Sequence, residues 1–184
     1  MMDRDTAAAD KALAQCPLES VTSQTGVPLP KSYLQACVDI VRGNAAKAQA
    51  GFEAARPSLE RIILNSPQNA IRRAQLGFLY ALMGRKADAL REGRRAVQLK
   101  PISRDVIEGA QVEAFLALIY ARTAELDQAI PQIERLITTP FAVEYASDSI
   151  TLSELRTRWE WDPLRNDPRF QKLISGPEPK TVYQ

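Results

Sequence analysis

The chain has 184 residues, 45% of them hydrophobic and 25% charged, with a formal net charge of +2. That balance excludes a disordered chain and fits one soluble domain with a short appendage. It also excludes strong overall attraction to nucleic acid, and no stretch approaches a transmembrane span, so direct membrane insertion is not expected.

Residues 1–30 open with "MMDRDTAAAD", which is acidic where a secretory leader needs a basic start. The expected compartment is therefore the cytoplasm, unless the chain was cut from a larger membrane-anchored protein. The alanine-rich "TAAADKALAQC" can form a helix that covers one end of the helical region after it, or a flexible leader. "PLESVTSQTGVPLP" reads as an irregular connection because of its Pro, Gly and Ser/Thr content. Cys16 and Cys37 are the two cysteines, without a CxxC spacing. Cys37 falls in an apolar helical pattern and reads as a buried free thiol, with a disulfide between the two as the alternative.

Residues 31–141 carry a recurring helical pattern. In "QLGFLYALMGRKADALREGRRAVQLKP", residues 75–101, one apolar helical run stops at Gly84, and a second helix over about 86–99 stops at Pro101. Gly77, Ala89 and Ala96 let the two helices approach closely, and Leu76, Tyr80, Leu90 and Val97 can fill the space between them. The pattern returns from Val112, where Leu116, Ala117 and Tyr120 repeat Leu76, Gly77 and Tyr80, and Ala129 repeats Ala89, 40 residues on. An earlier copy places Gly43, Ala48 and Ala55 at a displacement of 41 from Gly84, Ala89 and Ala96. Three antiparallel helical pairs are predicted, because stacked neighbours bury faces that one pair leaves exposed. Pro57 should kink or break its helix, whereas Pro131, nearer a helix start, should cost little. "PISRDVIEG" should form a longer turn before the third pair.

Residues 142–175 read as a capping segment, and 176–184 as a tail. Asp167 can cap a helix beginning at Pro168, with Phe170 and Leu173 on one face. Trp159, Trp161 and Leu164 add bulky apolar surface, which suits a cap over the last pair; a partner-binding motif built from the same aromatics is the alternative. Glu154, Glu160 and Asp162 lie among Arg156, Arg158 and Arg165, which suggests a charge-balanced surface more than a catalytic carboxylate pair.

Together Leu76, Gly77, Tyr80, Ala89, Ala96 and Pro101 resemble the tetratricopeptide repeat. Gly93 departs from that motif where a larger apolar residue is usual, which implies thinner packing there. Asp39 stands at the usual aromatic position of the first copy. "ELRTRWEWDPLRNDPRFQKLI" narrows the likeness to repeat regions that follow the signalling domain in bacterial multidomain serine/threonine kinases, adenylate cyclases and winged-helix regulators. The resemblance implies an all-α fold, tetratricopeptide-like antiparallel helical pairs in a right-handed solenoid with terminal capping segments.

No catalytic role is expected. The chain has no histidine, no phosphate-binding loop and no nucleophile elbow, and no cofactor or metal is implied. In tetratricopeptide arrays the first helix of each pair usually lines the concave face. That resemblance selects Tyr33, Cys37 and Val41, then Ala74, Phe78 and Leu82, then Ala114, Leu118 and Arg122 as protein-binding positions. The stripe lacks the basic donors of a carboxylate clamp and suits an amphipathic helix or apolar peptide, with Arg122 for an acidic flank. The expected function is a protein-protein interaction scaffold. The alternatives are self-association into a homo-oligomer and an intramolecular regulatory module of a larger signalling protein. The eight basic residues between Ile71 and Lys100, against only Asp88 and Glu92, form a solvated helical surface, with phosphate binding as a minor alternative.

Overall fold

The structure is a computed structural model that describes residues 4–23, 26–139 and 150–179. The expected boundary between repeats and cap at 141/142, and the last five residues of the tail, lie outside the described residues. Among the described residues the fold is all-α apart from one small ribbon. The helices are α1 (Thr6–Gln15), α2 (Lys31–Val41), α3 (Ala45–Asn65), α4 (Ala70–Leu82), α5 (Lys86–Leu99), α6 (Val106–Arg122) and α7 (Leu126–Leu136). After these come α8 (Leu152–Thr157), a 3-10 turn η1 (Trp159–Leu164) and α9 (Pro168–Ser175).

Helices α2 and α3, α4 and α5, and α6 and α7 pack as pairs, and each pair lies against the next through α3 on α4 and through α4 and α5 on α6. The three turns within pairs share one device. Gly43, Gly84 and Ala124 each adopt a positive φ, of 78°, 73° and 59°. The next N–H then reaches back across the turn, from Asn44 to Asp39 O, Arg85 to Tyr80 O and Glu125 to Tyr120 O, at 2.8, 2.8 and 2.9 Å. These bonds satisfy orphan carbonyls at each helix end. Two of the three positions are glycine, which has no side-chain penalty at positive φ. Ala124 does, so Ala124→Gly is expected to stabilise the chain by about 1 kcal/mol in a denaturant titration.

Several expectations change. The connection over 17–30 contains an antiparallel ribbon of β1 (Ser20–Thr22) and β2 (Pro28–Pro30). Prolines are admitted because hydrogen bonds run between residues 19 and 31 and between 23 and 27. Pro28 and Pro30 fall between those rungs, where no donor is needed. Helix α3 passes Pro57 without a break, because Phe52 and Ala55 before it and Leu59 and Ile63 after it are buried in one core. Pro131 is the sixth residue of α7, beyond the first turn, so it does remove an intrahelical bond. Helix α6 begins inside "PISRDVIEG" at Val106, where Asp105 accepts hydrogen bonds from Ile107 N and Glu108 N at 3.1 and 3.0 Å. Packing at Gly93 is not thin. A Cβ there would sit 2.7 Å from Ile119 Cδ1 and 3.0 Å from Leu116 Cδ1, so the next pair fills the space.

Polar contacts brace the stack. Tyr80 donates to Glu60 at 2.8 Å, and burial together with that bond pushes its hydroxyl up to about 12. The basic helical surface is largely paired: Asp88 holds Arg85 and Arg91, Glu92 holds Arg73 and Arg91, and Lys86 reaches Glu125 on the next pair.

Candidate functional site: a covered apolar cleft

A cleft of about 390 Å³ opens on the side of the stack formed by α2, α4 and α6. Tyr33, Leu34, Cys37 and Val38 come from α2, Gln75 and Phe78 from α4, and Phe115 from α6. Helix α4 packs closely on α6, with Phe78 and Phe115 ring centroids 6.4 Å apart. Between α2 and α4, a hydrogen bond from Gln75 Nε2 to the Tyr33 hydroxyl, 3.1 Å long, spans the floor. Tyr33 is held in turn by an edge-on contact with Phe52 at 5.7 Å.

The chain's own ends cover this side. Helix α1 contributes Ala9, Ala12 and Leu13 to one wall, while Arg158, Trp159 and Glu160 form another. Helix α1 is fastened to α2 by Arg42–Asp10 at 2.5 Å, Gln35 to Asp10 at 2.9 Å and Lys31 to Cys16 O at 2.6 Å. Arg4, just before α1, reaches Asp162 in η1 at 2.6 Å and joins the two covers. Burial opposes the charged form of Asp162, but hydrogen bonds from Arg4 and Arg165 outweigh it and hold the carboxyl below its usual range.

Of the nine positions selected from sequence, Tyr33, Cys37 and Phe78 line the cleft. Ala74, Ala114 and Leu118 are at most 2% exposed and belong to the packing of the stack, so they present no groove surface. Val41 and Leu82 are half-buried and lie outside the cleft lining. Arg122 is not available to an acidic partner. Its Nη2 donates to Trp159 O at 2.6 Å, its Nε donates to Glu160 O at 3.1 Å, and its guanidinium lies 4.8 Å from the Trp159 ring centroid. Gln75 and Phe115 take the places expected for Ala74 and Ala114, one residue further along each helix. The signal for Gln75 is its polar side chain inside an otherwise apolar run; Phe115 carries none.

Trp159, Trp161, Leu164 and Phe170 are buried, and Asp167 caps α9 by accepting from Arg169 N at 2.8 Å. Arg158 pairs with Glu160 at 2.8 Å and Arg165 with Asp162 at 2.7 Å, while Arg156 donates to the carbonyls of Ile174 and Gly176.

Both cysteines are free thiols. Burial in the cleft wall raises the Cys37 thiol well above its ordinary value, so its thiolate is scarce at neutral pH. Iodoacetamide at pH 7.5 is expected to label Cys37 at least ~10-fold more slowly in the native chain than in denaturant. Cys37 is half-buried in that wall rather than fully enclosed; peptide mass spectrometry reads the labelling directly, and equal rates would contradict its shielding.

Among the described residues, no group of His, Cys, Asp and Glu could hold a metal ion, and no helix is long and apolar enough to cross a membrane. Comparison with family models, curated proteins and solved structures found no match.

Proposed function

We propose that the chain is a noncatalytic, cytoplasmic protein-interaction scaffold of tetratricopeptide type, a right-handed solenoid of three helical pairs whose cleft takes apolar side chains from a partner helix or peptide. The observation that carries the reading is the cleft itself, walled by the first helix of every pair. The three equivalent turns, at residue displacements of 41 and 40, support the repeat assignment.

The cleft volume lies at the lower end of the roughly 300–1,000 Å³ typical of ligand sites. An α-helix with its side chains is about 10–12 Å across, so the cleft admits a few anchoring side chains and not a whole helix. Its charged wall is an Arg158–Glu160 pair, and the remaining lining is mainly apolar. Burial of apolar anchors would therefore supply most of the affinity.

Glutamate at Phe78 or Leu118 is unsuitable as a test, since both side chains are nearly inaccessible and the substitution would threaten the fold. Leu34 is half-buried at the cleft wall, so Leu34→Glu places charge there while leaving the carboxylate a route to water. A displayed library of amphipathic helical peptides, selected on the wild type, is expected to yield binders that lose about tenfold or more in affinity on folded Leu34→Glu. Binders indifferent to Leu34, or none at all, would refute the groove reading. The covering of the cleft by α1 and η1 favours a second reading, a self-associating or intramolecular regulatory module of a larger signalling protein.

A further inference from the structure

Helix α1 sits over the cleft without being built into the core. It has no buried residue, and among the described residues its main helix neighbour is α2. Its attachment is polar, through Asp10 to Arg42 and Gln35, Thr6 O to Arg42 at 2.9 Å, and Cys16 O to Lys31. Exposed ion pairs of this kind contribute little net stability and weaken with salt. The apolar side chains that α1 turns toward the cleft are Leu13 and the small Ala9 and Ala12, and beside the two alanines the space stays open. A segment that satisfies the polar rim and underfills the apolar floor is poised for exchange with one that fills both.

We propose that α1 is a displaceable occupant of this face, and that the partner is a helix repeating its polar pattern with larger apolar residues. Such a helix carries a carboxylate where α1 has Asp10, for Arg42 and Gln35. It places leucine-sized side chains where α1 has Ala9 and Ala12. The charge complementarity is already written in the α1 contacts, and the unfilled volume supplies the gain that makes exchange favourable. Binding in trans then competes with α1 in cis, and the apparent affinity falls by the fraction of time that α1 is in place. The inference rests on the groove reading above and assigns it a partner class and a built-in competitor.

The test uses a fluorescent peptide with the sequence of residues 4–15 carrying Ala9→Leu and Ala12→Leu, titrated by anisotropy into the full chain. Asp10→Ala in the chain removes the acceptor that holds α1, and Arg4→Ala provides a second variant that releases it from η1. Both positions are on the surface, and circular dichroism checks that each variant is folded. The expected result is peptide binding that tightens about threefold or more on Asp10→Ala and also on Arg4→Ala, and is lost on Leu34→Glu. Binding of equal strength to wild type and both released variants, still sensitive to Leu34→Glu, would overturn the displaceable helix while leaving the groove reading intact. No binding to any released variant would overturn both. Conversion of the released variants to dimers that exclude the peptide would overturn the partner class in favour of α1 exchange between copies.

Discussion

Replacing Gly109 with alanine is expected to destabilise the chain by about 2 kcal/mol, although alanine is the better helix former by about 1 kcal/mol. Gly109 lies in α6, and its conformation needs no positive φ. The reason is space. A Cβ at this position would meet Ile102 N at 2.7 Å, Ile102 Cα at 2.8 Å and Pro101 C at 2.9 Å. All three are backbone atoms in the connection that leads into α6, and they have no rotamer to yield. Lys100 further pins that connection to Asp105 and Glu108 at 2.9 and 3.0 Å. Overpacking against an immovable neighbour costs about 1–3 kcal/mol or more, which outweighs the gain in propensity. Gly93→Ala is the informative control, because the atoms it would crowd are the terminal methyls of Ile119 and Leu116, which can turn aside. Urea titration should show a clearly lower midpoint for Gly109→Ala than for Gly93→Ala at similar slope. A Gly109→Ala chain as stable as the wild type would mean that the connection moves.

Arg122→Ala should cost about 3 kcal/mol and loosen the cap. A hydrogen bond from a charged donor contributes about 1.5–3 kcal/mol, and Arg122 makes two, to the carbonyls of Trp159 and Glu160. Its stacking on Trp159 adds a contact that alanine cannot replace. Burial holds the guanidinium below its ordinary pKa, as expected for a cation enclosed between α6 and η1. Both tryptophans of the chain are in this segment, so fluorescence reports on the cap alone. The expected signature is a red-shifted emission in Arg122→Ala that precedes loss of helical circular dichroism on denaturation. Coincident transitions at wild-type stability would show that Arg122 is not what ties the cap to the stack.

Much of this arrangement is readable from local chemistry. The pairs follow from small residues at fixed displacements, Gly77, Ala89 and Ala96 among them, because close helix approach admits little else. The last helix follows from Asp167 and then Pro168, a cap and a first position that act within one turn. The early start of α6 is not legible, because Asp105 can cap as readily as it can sit in a turn. The deciding contact with Pro101–Ile102 is made only after the chain folds back. The candidate site lies one residue away from its sequence expectation on two helices. Ala74 and Ala114 fit a groove pattern by spacing, yet small residues are what a tight interface between neighbouring pairs selects. Periodicity identifies an apolar face but does not say which edge of it turns outward. The covering by α1 and η1 depends on contacts such as Arg4 with Asp162, 158 residues apart, which no local pattern encodes.

That last contact changes how the molecule can deform. A row of stacked helical pairs is a spring, each interface giving a little so that the whole can open or tighten around what it holds. Here Arg4 joins the segment before α1 to Asp162 in η1, so the two covers of the cleft are linked to each other as well as to the helical pairs. An exposed pair of this kind holds only weakly, and salt shifts it toward the open form. With the link open, either cover can move without drawing the other along.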